Sequence, residues 1–126
     1  MSEIIVVGSI NVDVSIGVPH APRRGETLLG ADIVRGGGGK GANQAVACAR
    51  LGRETAMVGA VGDDADGTWM LQLLAAEDVD TSAVLRLDRP TGQAVILVEP
   101  DGESTIVVSP GANGALAPED IDRARD

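Results

Sequence analysis

Gly36-Gly37-Gly38-Gly39-Lys40-Gly41-Ala42-Asn43-Gln44 is the stretch on which the reading of this chain turns. Four successive glycines give up backbone entropy at every position, so the fold must need close approach or unusual backbone geometry there. Lys40 to Leu51 follows with small helix formers and reads as a short helix. The N–H groups of its first turn would point back toward the glycines. The junction is therefore a binding corner, for a phosphate, a dinucleotide or a neutral polar ligand.

Upstream, Ile4-Ile5-Val6-Val7-Gly8 is a continuous β-branched run, the pattern of a strand buried on both faces of a parallel sheet. In Ile10-Asn11-Val12-Asp13-Val14, an extended backbone puts Asn11 and Asp13 on one face and the aliphatic residues on the other. Two polar side chains then converge just past the carboxyl end of the first strand, where open α/β sheets bind ligands. Val14 to Val18 and Thr27 to Val34 predict a hairpin outside the central sheet, broken by Pro19-His20-Ala21-Pro22-Arg23-Arg24-Gly25.

Downstream, Gly52 is the expected helix stop, and Thr55 to Ala60 supplies a second buried strand, completing a βαβ unit with parallel pairing. A second helix is predicted from Thr68 to Glu77, with Asp64 or Asp66 capping it. Val84 to Leu87, Gln93 to Val98 and Ser104 to Ser109 predict strands, the last two joined by a turn at Glu99-Pro100-Asp101-Gly102. Pro118-Glu119-Asp120 marks a helix start. The fold class is α/β, with a mostly parallel central sheet, helices and a smaller set of outlying strands.

The 126 residues amount to one domain, globular in composition with 44% apolar and 23% charged residues. The net charge of -9 and pI near 4.4 disfavour nucleic acid and anionic membrane, because both would be repelled at long range. A small neutral or cationic ligand fits better, or an anion met locally by backbone N–H groups or a metal. The single Cys48 excludes an internal disulfide, and no signal pattern or bilayer-spanning run of roughly 18 to 20 apolar residues is present, so a cytoplasmic protein is expected. Trp69 is the one Phe, Tyr or Trp in the sequence, which leaves little for stacking a base.

Several motifs fail on spacing. A Walker A loop would need glycine where Val34 stands and a hydroxyl where Gly41 stands. The dinucleotide pattern GxGxxG is met formally by Gly36, Gly38 and Gly41, but the preceding segment carries Asp32 and Arg35 and is not a buried apolar run. An EF-hand would need an acid at Gly62 and a glutamate at Leu73. His20, without neighbouring ligands, reads as a solvated loop residue, Cys48 as helix packing and Trp69 as an anchor at the edge of the core.

Taken together, Gly8-Ser9-Ile10-Asn11-Val12-Asp13, Gly25-Glu26-Thr27 and Gly38-Gly39-Lys40-Gly41-Ala42-Asn43-Gln44-Ala45, with Gly62-Asp63-Asp64 and Thr91-Gly92 behind them, resemble the N-terminal part of the ribokinase family, the PfkB-type carbohydrate kinases. The family's first signature is met by Gly38, Gly39, Asn43, Ala45, Gly52 and Gly62, and the wording is closest to the ribokinase branch. The resemblance covers residues 1–126 and implies a ribokinase-like fold with a small β-sheet lid.

By that resemblance, Asn11, Asp13, Gly39, Lys40, Gly41 and Asn43 form a sugar site, and Ala94, Ile96 and Val108 are the apolar lid contacts that cover the sugar. The implied reaction is ATP-dependent phosphorylation of the 5-hydroxyl of D-ribose or a related pentose, with Mg and a monovalent cation as cofactors. The strands within Val14 to Val34 and Gln93 to Ser109 would form the lid, through which two subunits pair as a homodimer. The family's second signature, Asp-Thr-x-Gly-Ala-Gly-Asp, supplies the catalytic base and the phosphate-holding N–H groups and does not occur in these residues. The expectation is therefore a sugar-binding and lid half, inactive by itself and without a nucleotide or metal site of its own. A non-catalytic sugar-binding or lid-dimerising fragment, or one half of a split kinase, is the alternative, with a dinucleotide-binding domain behind it.

Overall fold

A computed structural model describes residues 2–124. Strand β1 (Ile4–Val7) and strand β4 (Thr55–Gly62) pair in parallel, joined through helix α1 (Lys40–Arg50) as the βαβ pattern predicts. On its other edge β4 pairs in parallel with two short strands in succession, β5 (Val79–Asp80) near its start and β6 (Val84–Leu87) near its end. Helix α2 (Ala65–Ala76) connects β4 to β5.

A second sheet has the order β3-β2-β7-β8, built from β2 (Asn11–Gly17), β3 (Val34–Gly38), β7 (Gly92–Val98) and β8 (Ser104–Ser109). Its outer pairs are antiparallel, while its two middle strands, β2 and β7, run parallel. A short 3-10 turn (Gly111–Ala115) and helix α3 (Pro118–Arg123) follow β8.

The core lies between the central sheet and the two longer helices, and includes Val6, Ile10, Val12, Ala42, Ala45, Met57, Val61, Met70, Leu74 and Val79. Burying a side chain the size of Ile10, Met57 or Leu74 is worth about 1.5 to 3 kcal/mol. Alanine and glycine on α1 let the helix lie close to β1. A Cβ on Gly41 would sit 2.7 Å from the Gly8 backbone, so the helix and the first strand touch main chain to main chain. This is the packing role that the small-residue face of α1 serves. Gly52 ends the helix at φ 85°, as expected of a helix stop.

Four expectations need correction. Strand β1 is not buried on both faces, since Ile5 is 58% and Val7 48% exposed while Val6 is buried. The segment Thr27 to Val34 is not a strand; the strand begins at Val34 and runs through Gly36, Gly37 and Gly38. Those glycines lie in the backbone ladder of β2, with Gly36 opposite Asp13 and Gly38 opposite Asn11, so the ladder holds what local propensity would leave loose. Strand β2 begins at Asn11, earlier than Val14, which places both polar residues inside the strand. Helix α2 begins at Ala65 rather than Thr68, because Asp64 caps it by accepting a hydrogen bond from Gly67 N at 2.8 Å.

The second sheet is anchored at its base. Arg35 of β3 forms a 2.6 Å ion pair with Asp66 and lies over the Trp69 ring. Gln93 of β7 donates to the other Asp66 oxygen at 3.0 Å. Farther out, β8 is exposed along its whole length.

Candidate functional site

Register decides which side chains meet on the second sheet. Paired residues of neighbouring strands project to the same face, and period two carries that face along each strand. Asn11 pairs with Gly38 and Gly92, and Asp13 with Gly36 and Ala94. Ser15 pairs with Ile96, and Ala94 pairs in turn with Val108. One face therefore carries Asn11, Asp13, Ala94, Ile96 and Val108 together, although the sequence spreads them over much of the chain. The opposite face carries Val12, Val14 and Gly37 and turns toward the core and α2.

Close contacts hold the polar end of this face. The Asp13 carboxylate lies against Gly38, where a Cβ would overlap both of its oxygens. Gly39, at φ 94°, makes the sharp turn from β3 into α1, and a side chain there would meet Ser9 O at 2.6 Å and Asn11 N at 2.9 Å. Only glycine satisfies both the backbone angle and the contact. Burial pushes the Asp13 carboxyl above its ordinary value of 3.8, and no hydrogen bond or counter-charge among the described residues offsets it. It is a carboxylate held partly out of water.

The remaining expected residues separate into two groups. Lys40 and Asn43 are exposed, at the first and fourth positions of α1. Gly41 is buried against Gly8 and serves packing. The helix start is also less open than the sequence implied, because the first-turn Ala42 N donates to Ser9 O at 3.0 Å. A cavity of about 500 Å³ runs beside this corner between α1 and α2. It shares Gly38 and Asn43 with the corner and ends at Arg50 and Glu77, without reaching Asn11 or Asp13.

One residue of the site was not foreseen. Asn113, in the 3-10 turn, hydrogen-bonds Ile10 N, Ile10 O and the Asn11 side chain. The other polar cluster, at Asp64, works differently. Its carboxylate accepts from Thr91 Oγ1 at 2.6 Å, Thr91 N at 2.9 Å and Gly67 N at 2.8 Å, while Thr91 Oγ1 accepts from Gly62 N. Burial alone would push the Asp64 carboxyl up, but these hydrogen bonds outweigh it and, with Arg86 nearby, hold it below 3.8. Such a knot ties β4, α2 and the start of β7 together. His20 pairs with Glu26 at 3.0 Å on the loop between β2 and β3, away from both clusters. Among the described residues no group of three or more His, Cys, Asp or Glu is gathered to hold a metal ion, and no helix is long and apolar enough to cross a membrane.

Comparison with known proteins bears on the chain as a whole. The family model described as pfkB family carbohydrate kinase matches residues 1–126. A ribokinase of Haemophilus influenzae is 43% identical over 113 residues, covering 89% of this chain and 37% of that protein. Among solved structures, the ribokinase of Giardia lamblia superposes with a TM-score of 0.89 at 35% identity, covering 98% of this chain and 37% of that one. The ribokinase of Arabidopsis thaliana, solved with ribose and ATP, gives 0.82 at 33% identity, covering 96% and 41%. The chain thus spans well under half the length of these relatives.

Proposed function

The chain belongs to the pfkB family of carbohydrate kinases, and on that premise we propose that it forms the sugar-binding and lid portion of a ribokinase-type enzyme. The proposed reaction is ATP-dependent phosphorylation of the 5-hydroxyl of D-ribose or a closely related pentose. The observation that carries this reading is the under-served carboxylate of Asp13, on the same sheet face as Asn11 and the apolar residues Ala94, Ile96 and Val108. A pentose presents hydroxyls that donate to a carboxylate and a C–H surface that suits aliphatic side chains. Each charge-assisted hydrogen bond of this kind contributes about 1.5 to 3 kcal/mol.

In this reading Asp13 accepts from sugar hydroxyls, and Asn11 and Asn43 add hydrogen bonds. Gly39 lets the backbone approach the ring, and the exposed Lys40 contributes positive charge at the rim. The second sheet acts as the lid. ATP would supply the phosphoryl group, and Mg and a monovalent cation would support it, with no residue described here assigned to them. The base that takes the proton from the 5-hydroxyl is likewise assigned to none of these side chains. The exposed apolar positions Val95, Ile106 and Val107 support pairing of two copies through their lids. The acidic net charge of -9 suits a small neutral substrate in the cytoplasm.

Calorimetric titration of D-ribose into this chain, without ATP, should give saturable binding that Asp13→Ala weakens at least roughly thirtyfold, the equivalent of one charge-assisted hydrogen bond. Phosphoryl transfer from ATP should stay at background for this chain alone. Absence of binding to any pentose would overturn the sugar site.

A further inference from the structure

We infer that Asn113 sets the hydrogen-bonding polarity of Asn11, committing its oxygen to the protein and leaving its NH2 group to donate to a sugar oxygen; this rests on the sugar-site reading above. The argument begins at Ile10, which is fully buried at the head of β2 and presents both a backbone donor and a backbone acceptor to the same side chain. Asn113 Oδ1 accepts from Ile10 N at 3.0 Å, and Asn113 Nδ2 donates to Ile10 O at 3.0 Å. Exchanging the oxygen and nitrogen of Asn113 would set donor against donor and acceptor against acceptor, so its orientation is fixed by the main chain.

The second Nδ2 hydrogen of Asn113 goes to Asn11 Oδ1 at 2.8 Å. A donor there requires the oxygen of Asn11, and so the amide of Asn11 is fixed in turn. Its Nδ2, with two hydrogens, is what remains for a ligand. The meeting of the two amides depends on Gly92, the β7 partner of Asn11, because a Cβ at that position would overlap Asn113 Nδ2 and Asn11 Oδ1. Three elements far apart in sequence thus converge on the orientation of one amide.

This gives the site a defined grammar. Asp13 can only accept, so it reads a hydroxyl through its hydrogen. Asn11, held in this orientation, reads a sugar oxygen through its lone pair. Two polar residues two positions apart on one strand face then distinguish their ligand atoms by opposite polarity, and Asn113 is the positioning residue that makes them different.

The test measures D-ribose, 2-deoxy-D-ribose and 3-deoxy-D-ribose binding to the 126-residue chain as wild type, Asn113→Asp and Asp13→Ala. An aspartate still accepts from Ile10 N, but its other oxygen loses the bond to Ile10 O and offers Asn11 an acceptor, which turns the Asn11 amide round and points its oxygen at the ligand. Asn113→Asp should weaken D-ribose by roughly tenfold, about the value of one neutral hydrogen bond. It should also bring the affinity ratio between D-ribose and one of the two deoxy sugars toward one, leaving the other ratio unchanged. Equal weakening of all three sugars would show a merely structural role and overturn the inference. If Asn113→Asp does not fold, nitrogen-15 spectra of the wild type decide: the Asn11 side-chain NH2 signals should shift on adding D-ribose, and their remaining in place would overturn the inference. Unchanged D-ribose binding by Asp13→Ala would instead bring down the sugar-site reading itself.

Discussion

At the junction of β4 and α2 the Asp64 carboxylate receives three hydrogen bonds from neighbouring groups, while on β2 the Asp13 carboxylate receives nothing from the described residues that offsets its burial. The surroundings differ in the same sense. Strand β4 is buried along almost its whole length, and β8, at the far edge of the other sheet, is exposed throughout. Where the fold supplies partners for a carboxylate, the carboxylate holds the fold together. A carboxylate drawn partly out of water, with no partner among the described residues, is available to a ligand, at some cost to the empty protein.

The largest expected effect tests the structural half of this contrast. Asp64→Ala removes a helix cap and strands the Thr91 and Gly67 donors, so it should lower unfolding free energy by about 3 kcal/mol. Urea denaturation checks this, and a loss under about 1 kcal/mol would break the contrast. The stabilisation has a defined pH dependence. Because the folded carboxyl lies below 3.8, its contribution is complete above pH 3.8 and is lost as the pH falls through the lowered value.

A smaller effect is expected on the open edge of the second sheet. Val107 is 66% exposed on β8, and Val107→Lys should leave the fold intact while weakening self-association by roughly tenfold in sedimentation experiments, an ordinary loss for one apolar interface contact. A chain that is monomeric before the substitution would remove the lid-pairing part of the proposal.

The smallest effect has the opposite sign to that of Asp64→Ala. Asp13→Asn should raise the thermal midpoint slightly at neutral pH, because it removes a charge that burial penalises. The folded carboxyl of Asp13 lies above 3.8, so its cost is absent below pH 3.8 and grows as the pH rises through the raised value. The gain from Asp13→Asn should accordingly vanish in acid. A drop in stability at neutral pH would mean that Asp13 is a structural group like Asp64.

Much of this arrangement was legible in the sequence, for identifiable reasons. The βαβ unit announced itself through the aliphatic runs at Ile4 and Thr55 with small residues between them, and the outer hairpin through its turn at Glu99 to Gly102. Asn11 and Asp13 could be placed on one face from period two alone. The glycine strand could not be foreseen, because nothing local in Gly36-Gly37-Gly38 favours extension; its strand character comes from β2 beside it. Asn113 was hidden for a similar reason. Its Gly-Ala-Asn triplet repeats the one ending at Asn43, but its role depends on Ile10 and Asn11, at the other end of the chain. The pairing of Asp64 with Thr91 is equally non-local, and the sequence revealed only its helix-cap half.

The parallel pairing of β2 with β7 bears on the order in which the chain assembles. These middle strands of the second sheet are separated by β3, α1, β4, α2, β5 and β6, so the contact closes a loop that takes in most of the central unit. Long loops are entropically expensive to close before other contacts form. The βαβ unit, whose contacts are nearer in sequence, is therefore expected to form first and serve as the template on which β7 finds its register. Asn11, Asp13 and Ala94 come together only at that late step, so the face that would receive a sugar is among the last parts of the molecule to exist.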